Sequence, residues 1–221
     1  MIENHKKHPK QCDLIDVFLA GAAPKVGRYD LPQLEPENHI PETRVLPFNY
    51  FTAARKRAPC WYHCFVADAQ FQRLYKNFWR YRDTLKHVSG MIGTDFSLFR
   101  DYDLETKVEN CRKNRAVDYA LQQMGVRLIP TAGFADEETW SWCFDGLPMH
   151  STVAVTTNCL GRDPEAKRLF IGGMAAMVEK LQPTAIVVCG ACPEWLPKKY
   201  SSIRIIQIPS YSQMWKARRS R

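Results

Sequence analysis

Asp95, Ser97 and Arg100 fall within six residues of one another in the stretch GMIGTDFSLFRD, 90–101, directly after a short apolar run. Asp68 closes an earlier apolar run, 61–67. Two carboxylates brought to one face could hold a divalent cation through oxygen ligands, or divide acid and base roles if burial raised one pKa. Asp95, Asp68 and Ser97 are therefore the candidate catalytic residues. Arg100 and Arg115 are candidate clamps for a phosphate or carboxylate on a substrate. The bland alternative is that Asp95 caps a turn, Asp101 or Asp103 caps the next helix, and Arg100 pairs with them. Ser97 has no GxSxG surroundings, which argues against a Ser-His-Asp mechanism.

Such residues need a scaffold that brings distant segments together, and the rest of the chain supplies one. Apolar, strand-like runs at 61–67, 88–94, 126–129, 152–156, 185–188 and 203–208 alternate with helical patterns. Phe71, Leu74, Tyr75, Phe78, Arg82 and Leu85 recur at spacings of three and four, as do Leu104, Val108 and Cys111 and then Val117, Leu121 and Met124, which Gly125 terminates. Asp136, Glu137 and Glu138 open a short helix that Gly146 and Pro148 close, and Phe170, Met174, Met177 and Leu181 mark a last one before Pro183. Short strands, apolar throughout and separated by helices, pair in parallel with both faces covered. The expected fold is α/β: a parallel sheet of about six strands alternating with helices, barrel-like, meaning TIM-barrel-like or partly open. No GxGxxG or GxxxxGK[ST] loop accompanies it, against a Rossmann or P-loop nucleotide site. The expected organisation is an irregular Pro-rich leader over 1–50 with at most a short helix at 13–20, the α/β domain over 51–212, and a basic tail over 213–221.

Parallel α/β folds collect function at the C-terminal ends of their strands, because every strand-to-helix loop leaves from that rim. Reading the exits in order gives Asp68, then Asp95 with Ser97, then Thr131 after Pro130, then Thr157 and Asn158, then Cys189 and Gly190. Thr131 and Thr157 join the candidate ligand-binding residues with Arg100 and Arg115. Trp142, in the aromatic stretch TWSWCFDG at 139–146, could stack on a base or sugar, or pack where a short helix covers the sheet. His150 precedes its strand and belongs to the opposite rim, where a structural role is expected.

Charge and cysteine usage bound the partners. The formal net charge is +8, and the two ends supply six of the eight, through Lys6, Lys7 and Lys10 against Glu3 and through Lys216, Arg218, Arg219 and Arg221. These four C-terminal cations are candidate nucleic-acid contacts; salt-sensitive affinity for a polyanion and plain solvated termini both fit them. The Arg55, Lys56, Arg57 run reads the same way. Of eight cysteines, Cys60 with Cys64 and Cys189 with Cys192 form close pairs that could supply thiolates to zinc, with His63 as a substitute. Cys111, Cys143 and Cys159 sit in apolar or helical surroundings as small hydrophobes, which weighs against zinc. The third cysteine of an iron-sulfur radical motif is missing after Cys64. No window is apolar enough to span a membrane and the N-terminus has no signal-like apolar core, so a cytoplasmic protein without a membrane partner is expected.

The segments FVADAQFQRLY, GTDFSLFRDY, NCRKNRAVDYALQQMGVRLIPTAGF, WCFDGLP, STVAVTTNCLG, FIGGMAAMVEKLQPTAIVVCG and IIQIPSY, in this order, resemble the DUF4417 family, an uncharacterised group found in bacteria, archaea, phages and mobile elements. The resemblance covers about residues 45 to 212 and implies no established activity. Where the family pattern has two adjacent acids this chain has Ala67 and Asp68, which loosens a two-carboxylate metal site there; the cysteine pairs lie outside the pattern. A phage or mobile-element origin follows from the resemblance, in the cytoplasm of a bacterial, archaeal or phage-infected cell. The expected function is a rim site that binds or acts on an anionic ligand, a nucleotide or nucleic acid. The alternative is a non-catalytic accessory or inhibitor protein that engages DNA or a host protein through its basic termini.

Overall fold

The computed structural model describes residues 23–51, 59–158, 160–161 and 163–219. The expected helix at 13–20, the 55–57 basic run, Cys12, Cys159, Arg221 and the Arg218 side chain lie outside the described residues.

Two parallel sheets carry the fold. The first pairs β3 (Val45–Pro47), β4 (Trp61–His63), β5 (Gly90–Ile92) and β6 (Leu128–Ile129) in chain order; the second pairs β7 (Thr152–Thr156), β8 (Ala185–Cys189) and β9 (Arg204–Ile208), also in chain order. A single parallel bridge, Thr131 to Ala154, joins the two sheets just past β6. Among the described residues no pairing links β9 back to β3, so no closed barrel forms. The strands expected at six places are found; β4, β5, β6 and β9 are trimmed from their apolar runs, β7 matches its run and β8 extends one residue past it.

Residues 25–47, expected to be irregular, instead contribute an antiparallel pair, β1 (Lys25–Val26) with β2 (Leu31–Pro32), and the edge strand β3. Pro47 ends β3 without cost, because an edge position needs no amide hydrogen there. The long helix expected over 71–85 is broken into α1 (Asp68–Phe71), α2 (Arg73–Lys76) and α3 (Phe78–Leu85). The remaining helices are α4 (Leu104–Gln123), α5 (Glu137–Trp140), α6 (Pro164–Leu181), α7 (Trp195–Lys199) and α8 (Tyr211–Arg219). The residues expected as a basic tail are thus mostly helical in α8.

Local chemistry accounts for the helix ends that matter below. Asp103 caps α4 by accepting from the Thr106 amide at 2.7 Å, and Asp136 with Thr139 forms a capping box at α5. Asp163 caps α6, followed by Pro164 in the first turn, where its missing amide hydrogen is no loss.

Both faces of the inner strands β4 to β8 are dry, which is why they read as continuous apolar runs, whereas the edge strand β9 exposes Arg204 and Gln207. Outward residues such as Tyr62, Met91, Leu128, Val153, Ile186 and Val188 pack under the helices in the main core. Residues of the opposite face from successive strands, among them Trp61, Ile92, Ile129, Ala154, Val187 and Ile208, gather in a second, smaller cluster.

Candidate functional site

The chain leaving β5 is held by one helix. Along α4, Lys107, Asn110, Asn114 and Asp118 recur at spacings of three and four, and all four are buried. Asp118 Oδ1 accepts from the Thr94 amide at 3.0 Å and from Thr94 Oγ1 at 3.3 Å. Asn114 clasps Phe96, accepting from its amide at 2.8 Å and donating to its carbonyl at 3.4 Å. Asn110 donates to the Ser97 carbonyl at 2.9 Å, and Lys107 Nζ donates to the Arg100 carbonyl at 3.2 Å and to Asp136 at 2.6 Å. Each buried bond of this kind contributes about 0.5–1.5 kcal/mol, and leaving its buried partner unpaired would cost more.

From the other side Asp68, in the first turn of α1, takes both donors of Ser97, the hydroxyl at 2.9 Å and the amide at 3.2 Å. Thr131 Oγ1 donates to the Gly93 carbonyl at 3.2 Å. Gly93 itself has no room for a side chain, because a Cβ would run into the Asp118 carboxylate.

Asp95 stands in the middle of this scaffold, and no hydrogen bond from the described residues reaches its carboxyl group. Burial, then the nearby charges of Asp68 and Asp118, push its pKa up to about 7. Asp118 is likewise raised to about 7 by burial, against the opposing pull of the Thr94 bonds and of Arg115. Three acids therefore converge on one strand exit, and Asp95, which has no hydrogen-bond partner among the described residues, faces a cavity.

That cavity, about 310 Å³, opens at the strand C-terminal rim between the exits of β5, β6 and β7 and the start of α6. Asp95, Ser97, Thr131 and Thr156 supply polar groups, while Leu98, Phe134, Val155 and Phe170 are among its apolar walls. Arg100 and Asp163 stand about half exposed in the lining and pair with each other at 2.9 Å. A carboxyl that exchanges its proton near neutrality, beside apolar walls and a hydroxyl, can act as general acid or base on a bound small molecule.

The structure brings together Asp95, Ser97, Arg100 and Thr131, with Asp68 behind Ser97. Arg115 lies elsewhere: it is buried under the segment after α5, its guanidinium donating to the carbonyls of Asp145 at 3.1 Å and Cys143 at 2.8 Å. Trp142 is also buried, edge-on to Tyr29 at 5.1 Å, and packs in the core. Thr157 points away from the cavity and donates to the carbonyls of Cys189 and Ala191; its neighbour Thr156 lines the cavity in its place. Of the C-terminal cations, Lys216 and Arg219 are exposed on α8, on a different element from the cavity.

Cys60, Cys64 and Cys189 are buried free thiols, and burial holds those of Cys64 and Cys189 in the protonated form, the latter pushed up to about 12. His63 is buried too, accepts from the Phe65 amide at 3.2 Å, and is lowered to about 4 by loss of solvent, so it is neutral at pH 7. Among the described residues no three such side chains form a metal-holding group. No helix among them is long and apolar enough to cross a membrane.

The α4 stripe is the part of the site that sequence reasoning missed. Its signal was present: four polar residues at helical spacing, on the same side of the helix as the apolar residues and aligned with the loop GTDFSLFR that they hold.

Known proteins give the chain a family. It is similar to the "Gene 1 protein" of Mycobacterium phage L5, 26% identical over 194 residues that cover 86% of this chain and 82% of that protein. It is also similar to the "Gene 1 protein" of Mycobacterium phage D29, 25% identical over 199 residues, 89% of this chain and 71% of that protein. No solved structure matches it significantly. The family model described as "Domain of unknown function (DUF4417)" matches residues 23–211, and the chain belongs to that family.

Proposed function

We propose that the rim cavity is a small-molecule site in which Asp95 is the proton-exchanging group and the ligand is of the nucleotide class. One observation carries this reading: Thr94, Phe96 and Ser97 around Asp95 are each pinned by a side chain of α4 or by Asp68, while the Asp95 carboxyl has no hydrogen-bond partner among the described residues and faces the cavity. A half-buried acid that finds no hydrogen-bond partner among the described residues adds nothing to stability, so its retention is accounted for by a ligand that pairs with it in the cavity. Flat apolar walls at Phe134 and Phe170 suit a ring, and the volume suits one nucleotide rather than a polymer track. Phage relatives supply a setting, the cytoplasm of an infected cell, in which nucleotides are a common currency; that is support by association. The strands in chain order, with one inner cluster drawn from successive strands, fit barrel-like curvature, which would aim the exits of β4 to β8 at a common centre.

The test is a thermal-shift panel of nucleosides, nucleotides and divalent metals on the wild type and on Asp95→Asn. A ligand at 100 times its dissociation constant adds about 2.7 kcal/mol of apparent stability. The wild type should respond to at least one nucleotide, and Asp95→Asn should stay folded and lose the response. Equal responses in both proteins would remove Asp95 from the site.

A second reading has its own observation. Trp215 is 49% exposed on α8, next to Lys216 and with Arg219 one turn on, an arrangement that suits non-catalytic attachment to DNA or an acidic host protein. Removal of residues 214–221 should then abolish nucleic-acid binding and its steep salt dependence while leaving the cavity responses intact.

A further inference from the structure

We infer that Arg100 and Asp163 form an exchangeable latch in the lining of the cavity, where Asp163 holds the guanidinium that a ligand's terminal phosphate monoester takes, so that the site selects a free nucleotide over an internal phosphodiester. This deepens the reading above and rests on it.

Among the described lining residues Arg100 is the one cation, and so the charged side chain that they offer a phosphate. Its backbone is fixed, because Lys107 Nζ donates to its carbonyl and is itself held by Asp136. Its side chain is about half exposed and makes a single ion pair, 63 residues away in sequence, with Asp163 at the start of α6. An exposed pair of this kind is weak and easily exchanged.

Asp163 is built to give up its partner. Its two oxygens have separate tasks: Oδ1 accepts from the Glu165 amide at 2.9 Å and caps α6, while only Oδ2 meets Arg100. Releasing the guanidinium therefore leaves the cap in place. The carboxylate nevertheless stays beside the cavity, so an incoming anion meets repulsion from Asp163 as well as attraction to Arg100. A phosphodiester, with one charge, merely replaces one anion by another. A monoester carries roughly −1.5 to −2 charge at pH 7 and three acceptor oxygens that suit the guanidinium fork, and it tips the exchange.

The experiment compares three probe series, nucleosides, their 5′-monophosphates and dinucleoside monophosphates, by thermal shift and by titration, on the wild type, Arg100→Gln and Asp163→Asn. Asparagine keeps the helix cap and removes the charge. In the wild type the monophosphates should bind about tenfold or more tightly than both other series. Arg100→Gln should bind monophosphates no better than nucleosides. Asp163→Asn should strengthen binding of the dinucleoside monophosphates and so narrow the monoester-to-diester ratio. Equal binding of nucleosides and monophosphates by the wild type overturns the latch alone and leaves the nucleotide cavity standing. An unchanged ratio in Asp163→Asn also overturns it. Silence from all three series overturns the nucleotide reading and the latch together.

Discussion

The exits of β5 and β8 can be set side by side. At β5 the segment from Thr94 to Arg100 is held by Lys107, Asn110, Asn114 and Asp118 of α4 and by Asp68. At β8 the carbonyls of Cys189 and Ala191 are held by Thr157 Oγ1, and that of Gly190 by Gln207 at 2.8 Å. Both exits sit on the same rim, both use side chains to satisfy backbone groups, and both carry a glycine whose Cβ would strike a side chain, Asp118 at Gly93 and Thr157 at Gly190. They differ in what is left over. The β8 exit ends in a thiol that burial keeps protonated, whereas the β5 exit ends in an acid raised to about 7 with no hydrogen bond from the described residues. Position on the rim makes a residue eligible for function; an unspent, titratable group facing a cavity is what separates a site from a well-made turn.

The largest expected effects test whether the two exits are equally rigid. Gly93→Ala forces a methyl against a buried carboxylate, and Gly190→Ala forces one against Thr157 at a φ of +112° that suits glycine. Each should destabilise by about 1–3 kcal/mol in denaturant unfolding. A neutral outcome at Gly93 would mean that α4 does not hold the β5 exit tightly.

Of the two exits, that of β5 should carry the pH dependence. Asp95 and Asp118 are raised from the ordinary carboxylate range to about 7, so the folded state holds protons that the unfolded chain releases near pH 4. Their contribution is full below about pH 4 and is lost as the pH rises through 7. Compared with wild type, Asp118→Asn and Asp95→Asn should each show a smaller loss of stability between pH 4 and 7, measured as the difference in denaturation midpoint. Cys189→Ala should leave that slope unchanged.

The smallest effect sharpens the contrast further. Thr157→Val removes bonds to two carbonyls and should cost about 1 kcal/mol without altering any response at the cavity. Loss of the ligand response in Thr157→Val would extend the site to the β8 exit.

Much of this was readable in the residues. The rim rule found Asp95, Ser97, Arg100 and Thr131, because an apolar run that ends in an acid marks both the strand and its exit. Thr157 was chosen where Thr156 lines the cavity, since a one-residue offset at a strand end reverses the face. Arg115 and Trp142 do not reach the cavity, and a cation or an indole on a helix declares nothing about which neighbour buries it. Here carbonyls after α5 hold the first, and Tyr29 packs against the second. Strand β3 was hidden by the prolines around it, though Pro47 at a sheet edge offends no rule. The α4 stripe is hard to read because its polar residues are interleaved with the apolar ones and look like interruptions of a buried face, whereas they bond a buried loop.

The most direct measurement is a carboxyl-carbon NMR titration of aspartate-labelled protein, with Asp95→Asn and Asp118→Asn used to assign the resonances. The account predicts that the Asp95 carboxyl titrates with a midpoint of about 7. A midpoint in the ordinary range near pH 4 would mean that its charge is already satisfied in the folded protein, and would contradict the claim that this acid is held in reserve for a ligand.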